Sequence, residues 1–357
     1  MAKIKAAIVG VGNSASALIQ GVHYYKDTKP DEYVPGLLHV DFGGYHAKDI
    51  KFVAAFDVDA KKVGKDIGEA IFCKPNNAVR FCKVPKLGVK VQKGRVLDGV
   101  GRFTKPVIQI DPNDEPVDVA DVLREIDTDL LINYLPVGSQ EATQWYAEQA
   151  LEAGCAFVNC IPEFIASVPS WQKRFEKAEL PVAGDDVMSQ IGATVLHKTI
   201  AKLLVDRGVL LEESYQLNIG GDTDFLNMLD EDRLKSKRES KTSAVQALVP
   251  YNIPLRIGPS DYVDFLKNQK ICYIWAKGKY FGDTPVTIDL KLSVNDSPNS
   301  AGIVIDAIRA TKLAIDRGIT GPLISISAYA FKHPPIQKPY EVAKKWVEDF
   351  IAGKRDR

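Results

Sequence analysis

Hydrophobic and polar positions follow one rhythm along the first half of the chain and another along the rest. Short apolar runs of parallel-strand type at Ile4–Val9 and at residues 51–56, 129–135, 155–161 and 181–184 alternate with segments of helical period. Those segments begin at Asn13 and cover residues 59–70, 117–126, 139–153 and 169–178. A further helix is expected over 189–208. The period then shortens to strand-like alternation at 216–221, 271–278 and 286–294, interrupted by a helical section at 233–247. Two long amphipathic helices, 298–318 and 340–353, restore the first rhythm, and each needs a sheet or partner for its apolar face. Residues 24–49, with Pro30, Pro35, Gly36, Gly43 and Gly44, interrupt the first units as an insertion. Residues 72–116, rich in Lys, Gly, Pro and Val, carry no motif and read as an irregular or β-hairpin excursion.

The alternation predicts an α/β fold: a Rossmann-like doubly wound parallel sheet with an inserted α+β domain for catalysis and oligomerisation. Residues 1–192 with 299–357 form the first unit, and 193–298 the second. The first strand runs into Gly10-Val11-Gly12, whose backbone can turn tightly against a pyrophosphate. Asn13 and Ser14 then open a helix with free N–H groups, and Ala15 stands where a third glycine is common. Asp57, ending the second strand, is placed to take the adenosine ribose hydroxyls, although it lies well past the roughly 20-residue spacing that is usual. An acid there with no arginine directly after it favours NAD over NADP; capping of the next segment is its alternative role, shared with Asp59. The ligand rim at the carboxyl ends of the strands should also hold Asn133, Tyr134, Asn159, Asp185 and Asp186.

Composition narrows the partners. The 357 residues suffice for two domains, and 46 basic residues balance 46 acidic ones, so neither nucleic acid nor an anionic membrane is the expected partner. Cys73, Cys82, Cys155, Cys160 and Cys272 form no CxxC pair and no even disulfide framework, which suits reduced thiols in a cytoplasm. The chain shows no charged-then-apolar leader, and no apolar run approaches the ~18 residues of a membrane span. The five histidines have no metal-ligand spacing, His197 reads as a packed residue, and the GxSxG and GxxxxGK[ST] signatures of hydrolases and triphosphatases are missing.

The densest chemical signal lies in residues 220–245. On a helix, Lys237 and Lys241 share a face while Arg238 and Glu239 point elsewhere, and isolated lysines follow at Lys270 and Lys332. Lysines gathered in a partly buried site depress one another's pKa, bind phosphate, polarise carbonyls and move protons. With Gly10 to Ala15, residues 34–43, 52–64, 184–194, 220–228, 236–245 and 294–302, this patch resembles the myo-inositol-1-phosphate synthases, especially their bacterial and archaeal branch, over essentially the whole chain.

The resemblance implies conversion of D-glucose 6-phosphate into 1L-myo-inositol 1-phosphate with bound NAD, in a homotetramer. The open-chain sugar is oxidised at C5, the C6 proton becomes acidic, the enolate closes onto the C1 aldehyde, and the ketone is reduced again. Carried over by position, Lys237 handles the proton of the C5 oxygen. Lys241 and Lys270 bind phosphate and stabilise the enolate, and Lys332 polarises the C1 aldehyde. Asp186, Asp224 and Asp296 resemble the acids near the nicotinamide, with helix capping as the alternative for Asp296. Ser189, Gln190, Ile191 and Gly192 form the phosphate-binding helix start, and Ser189 also touches the cofactor. Here Asp222-Thr223 replaces the two asparagines of eukaryotic members. A monovalent or divalent cation near the NAD phosphates belongs to the same expectation, its ligands unassigned. The rival from residues alone is an NAD-dependent dehydrogenase of a sugar phosphate or amino-acid precursor that releases NADH; a non-catalytic NAD sensor is a third reading that four lysines and three acids disfavour.

Overall fold

The structure, a computed structural model, describes residues 3–357. The chain begins β1 (Ile4–Val9), α1 (Asn13–Tyr24), a small hairpin β2 (Asp41–Phe42) and β3 (Tyr45–His46), then β4 (Ile50–Asp57). It continues α2 (Ile67–Ala70), β5 (Val91–Lys93), α3 (Val119–Glu125), β6 (Leu130–Asn133), α4 (Gln140–Ala153), β7 (Ala156–Asn159), α5 (Pro169–Lys177) and β8 (Pro181–Ala183). The middle section is α6 (Ala193–Asp206), β9 (Leu210–Gly220), α7 (Thr223–Asn227), α8 (Lys235–Gln246), β10 (Leu255–Tyr262), β11 (Gln269–Lys279) and β12 (Pro285–Asn295). Last come α9 (Asp296–Asp316), β13 (Gly321–Pro322), α10 (Ile324–Ala330) and α11 (Tyr340–Ile351).

Seven strands build one sheet in the order β13-β8-β7-β6-β1-β4-β5, with every neighbouring pair parallel. The chain moves outward from β1 on one side and returns on the other, so a crevice opens at the carboxyl ends around β1. Two-residue periodicity sorts β1 between two cores. Ile4, Ala6 and Ile8 face α1 and α9, whereas Ala7 and Val9 face the layer of α3, α4 and α5.

The closing helices return to the first sheet, as their unpaired apolar faces require. Helix α9 packs on α1 and passes β1, β6, β7 and β8, and is buried over nearly its whole circumference from Ser300 to Ala314. Inside it, the buried Arg309 guanidinium donates to the carbonyls of His39, Val40 and Tyr45 and to the Asp306 carboxylate. That cluster pins the 24–49 insertion over the helix, and breaking such a buried pair costs about 3–5 kcal/mol. A Cβ on Gly302 would stand 1.8 Å from the Gly36 carbonyl, so only glycine admits the insertion this close.

The four-stranded sheet runs β10-β9-β11-β12, with β10 parallel to β9 and the other pairs antiparallel. Helices α6 and α8 cover one face, where the buried His197 bonds Ser214 and Gln216 as a packed side chain. Tyr215 and Trp275 stack at 5.4 Å on this sheet, and Tyr215, Leu217 and Tyr273 are exposed.

Several local expectations change. The helix expected over 59–70 shrinks to α2, because Gly64 adopts φ +82° and Asp66 caps a new start through Gly68 N–H. Residues 72–116 form no hairpin; three of them join the parallel sheet as β5, too short a strand for periodicity to reveal. Strand β10 went unrecognised because Pro259 and a register shift interrupt it, and β13 and α10 because they are short. Helix α6 starts at Ala193 rather than Ser189, because Asn299 takes the Ile191 N–H and carbonyl and holds the strap before it. Helix α9 begins at Asp296, so the expected domain boundary at 299 falls inside its first turn. No helix among the described residues is long and apolar enough to cross a membrane.

Lys198 on α6 is buried, and its ammonium lies 4.8 Å from the Tyr340 ring centre with no hydrogen-bond partner among the described residues. Burial pulls it from 10.5 to about 8. Below about 8 the folded chain carries the whole cost of a desolvated charge; between about 8 and 10.5 the unfolded chain alone stays protonated, so stability rises with pH. Lys198→Met should therefore raise stability at pH 7 by ~2 kcal/mol and flatten that rise, read from urea midpoints across the pH range. Equal midpoints for both proteins would contradict the assignment.

Candidate active site

The turn after β1 is shaped for an anion. Gly10 has φ +87°, and a Cβ there would meet the Tyr134 carbonyl at 2.4 Å, so the strand ends approach only because the side chain is missing. A Cβ on Gly12 would enter open space, which leaves the backbone approachable from the cavity. Gly12 caps α1 without a side-chain bond, and no acid stands in the first turn, so the helix start keeps its positive end and unpaired N–H groups. These features fit a dinucleotide diphosphate. Asn13 fastens the 72–116 excursion to the turn, accepting from the N–H groups of Asn77 and Ala78, and Asn77 reaches on to the Gly221 carbonyl.

A second uncapped start faces the same cavity. Gly192 precedes α6 with no side-chain cap and no acid in the first turn, and residues 192–195 line the wall.

Between the two helix starts stands Asp186, just past β8. Its neighbour Asp185 turns inward and accepts from Asn159, Ile165, Ala166 and Ser167. Asp186 turns outward, 1% exposed, and takes Ser240 Oγ at 2.6 Å, Lys332 Nζ at 2.9 Å and Lys237 Nζ at 3.4 Å. Burial alone would raise its pKa, yet Lys237 and Lys332 outweigh that and hold the carboxyl well below the usual range. The segment carrying Lys332 arrives because Val187 and Phe331 bridge as antiparallel neighbours; Lys332 Nζ also donates to the Val187 carbonyl at 2.7 Å. Across the cavity, Lys270 on β11 pairs with both oxygens of Asp296 at 3.1 Å. Asp296 therefore engages a lysine as the first residue of its helix, and Asn295 holds the N-cap position without a side-chain cap bond.

The four lysines share one wall but not one proton affinity. Burial works hardest against each. For Lys237 the carboxylates of Asp186, Asp224 and Asp296 overcome it and raise the pKa, as Asp296 does for Lys270. Lys332 is lowered to about 8, because burial and Lys237 outweigh Asp186. Lys241 has no hydrogen-bond partner among the described residues and falls well below the ordinary lysine value, pushed by burial and then by Lys270, Lys237 and Lys332. Two held cations and two readily neutralised amines thus face one space, a set suited to moving protons and receiving an anion.

Of the residues expected at the site, Gly10, Gly12, Asn13, Ser14, Asp57 and Tyr134 line the nucleotide end of the cavity. Asp186, Ser189, Gly192, Asp224, Asp296 and the four lysines line the other end. Five do not reach the wall, among them Asp185 and the buried Asn159 that bonds it. Asn133 is buried beneath it, bonding Thr143, Asn159 and the Leu135 N–H. Gln190 and Ile191 are turned toward α9 and the insertion, tied through Asn299, so the helix start that faces the cavity lies one step later, at Gly192 to Thr194. The excursion thought to lack a motif supplies Asn76, Arg95, Val96 and Thr104 to the wall. Asp222 also lines it, capping α7 and bonded by Asn268; burial, then Asp224 and Asp296, raise it to about 7.

Comparison with known proteins gives a consistent result. Residues 192–297 match the family model of myo-inositol-1-phosphate synthase. Over 98% of its length the chain is 52% identical to the inositol-3-phosphate synthase of Mycolicibacterium smegmatis, covering 98% of that protein. Among solved structures it resembles Ari2, with 34% identity, a TM-score of 0.80 and coverage of 98% and 99% of the two chains. A myo-inositol-1-phosphate synthase-related protein from Thermotoga maritima superposes with a TM-score of 0.79 at 25% identity, over 98% of each chain.

Removing the shared carboxylate should expose the coupling. In Asp186→Asn both Lys237 and Lys332 lose the partner that raises them, so Lys332 should titrate below its value of about 8 and Lys237 should fall with it. Trace acetylation of each lysine across pH, read by mass spectrometry, measures this; an unmoved Lys332 midpoint would break the link.

Proposed function

This chain belongs to the myo-inositol-1-phosphate synthase family and is an enzyme that converts D-glucose 6-phosphate into an inositol phosphate, and on that premise we propose that it works with NAD retained through the whole cycle. The observation that carries the proposal is the continuity of one cavity from the open Gly12 turn to the Asp186–Lys237–Lys332 cluster. Bound NAD supplies a two-electron acceptor for C5 and, once reduced, the hydride that restores the alcohol. Everything else falls to the protein.

Lys237, kept charged by Asp186, faces the C5 oxygen and exchanges its proton as the carbonyl forms and disappears. Lys332, with its ammonium and neutral forms close in energy near pH 8, polarises the C1 aldehyde during ring closure and shares Asp186 Oδ1 with Lys237. Lys241, its proton affinity lowered by burial and by the other three lysines, gains a countercharge when a phosphate dianion arrives, and with Lys270 and the N–H groups of the α6 start it holds that phosphate and the enolate oxygen. Asp224 and Asp296 keep Lys237 and Lys270 charged. No group of three or more His, Cys, Asp or Glu side chains is arranged for a metal among the described residues, and we assign no protein ligand to a cation beside the diphosphate.

The assembly we propose is a homotetramer in the cytoplasm. Exposed Tyr215, Leu217 and Tyr273 on the four-stranded sheet support the first part, and five unpaired cysteines support the second.

The test is a ¹³C NMR time course with labelled D-glucose 6-phosphate and substoichiometric NAD. Inositol phosphate should accumulate beyond the NAD supplied without matching NADH; product stopping at one equivalent would mark an ordinary dehydrogenase. Lys237→Ala should lower turnover by ~10³-fold or more while NADH binding stays within a few-fold. Loss of NADH binding would make Lys237 a cofactor ligand instead.

A further inference from the structure

Ser236, Ser240 and Ser243 recur at helical spacing, so α8 carries them in one row. Each hydroxyl reaches a different segment. Ser236 Oγ donates to Glu163 Oε1 at 2.9 Å, in the loop after β7. Ser240 Oγ donates to Asp186 Oδ2 at 2.6 Å, and Ser243 Oγ lies 3.4 Å from His333 Nδ1, next to Lys332.

The groups that receive this row are themselves held. Glu163 is 4% exposed, and the same oxygen that takes Ser236 also takes the Gly138 N–H at 2.8 Å. The His333 ring lies flat on Phe164, with ring centres 3.9 Å apart, and its main chain pairs with that of Asp185. Arg233, in the turn before α8, donates to the carbonyls of Asp98 and Val137 and to Ser139 Oγ. None of Ser236, Ser240, Ser243, Glu163 and His333 lines the cavity, so whatever they do for the reaction they do through a neighbour.

Those neighbours are the lysines. Lys237 follows Ser236 and Lys241 follows Ser240, about 100° further round the helix, and both line the cavity. An apolar row would pack α8 as firmly, but apolar contact has no direction and tolerates rotation. Hydrogen bonds to three separate segments do not.

We propose that Ser236, Ser240 and Ser243 form a seam that fixes the rotation of α8, with Glu163 as the positioning residue at its amino end, and that this sets how Lys237 and Lys241 enter the cavity. The inference rests on the reading that Lys237 handles the proton of the C5 oxygen. A rotation of roughly 10° moves a side-chain tip ~6 Å from the helix axis by about 1 Å. A misplacement of that size can cost ~100-fold in rate.

The test compares Ser236→Ala, Ser243→Ala and the double variant on unlabelled and 5-deuterated D-glucose 6-phosphate. Alanine is the better helix former and Glu163 keeps its Gly138 donor, so the thermal midpoint should stay within a few degrees of wild type. In the double variant kcat should fall about tenfold or more while NADH affinity stays within about threefold, and the deuterium effect on kcat should grow as hydride transfer becomes limiting. Glu163→Gln still offers one oxygen to both donors and should keep kcat within about twofold, whereas Glu163→Leu should match the loss in Ser236→Ala. The seam is overturned if the double variant turns over like wild type, if its deuterium effect is unchanged, or if Glu163→Gln is as damaging as Glu163→Leu. The serine variants and Glu163→Gln decide this even where Glu163→Leu fails to fold. Wild type that forms no inositol phosphate would overturn the reading of the reaction itself, an outcome separate from the rest.

Discussion

The carboxylate of Asp186 is the contact on which the site depends. It stands at the end of a strand in the first sheet, yet its partners come from elsewhere: Lys237 and Ser240 from α8, beside the second sheet, and Lys332 from the segment that follows α10. A charge this buried is tolerated only when its partners are present, so the pairing that organises the lysines also fixes how the two sheets meet there. Neutralising the acid would leave Lys332 with only the Val187 carbonyl and Lys237 with no carboxylate in hydrogen-bond reach among the described residues. The arrangement spends stability on chemistry, since a well-packed apolar cluster would join the sheets at least as well.

Around that centre the charges are graded. Lys237 and Lys270 are anchored by carboxylates, whereas Lys241 faces mostly other cations and Lys332 sits between the two conditions. Four identical side chains therefore acquire different proton affinities from position alone. An incoming dianion completes the set: it supplies the countercharge that Lys241 lacks, so substrate binding raises the proton affinity of its own site. Asp222, raised by burial and then by Asp224 and Asp296, shows the same crowding with the opposite sign.

What could be read in advance was whatever is encoded locally. The β1–turn–α1 unit and the shared face of Lys237 and Lys241 follow from spacing within a few residues, and both hold in the structure. Long-range placement was not legible in the same way. Nothing near Lys332 announces that Val187 and Phe331 will bridge and bring it to Asp186, and no periodicity separates the inward Asp185 from the outward Asp186. Asn76, Arg95 and Thr104 were missed because an irregular segment reaches the wall through side-chain bonds such as Asn13 to Asn77, which leave no pattern. Gln190 and Ile191 were misplaced because the capping signal was assigned one turn early, while Asn299, more than a hundred residues downstream, holds that strap off the helix.

The order of assembly is constrained by α9. One face of the first sheet, including Ile4, Ile8, Leu130 and Val158, is sealed by a helix made of residues 296–316, and its edge is finished by β13 at 321–322. During translation, that apolar face is complete long before its cover exists. The nascent chain must carry it through the synthesis of the whole second sheet, so part of that apolar surface stays exposed until α9 is made. A truncation before α9 would not yield a smaller nucleotide-binding domain; it would yield a sheet whose face is only partly covered, by α1.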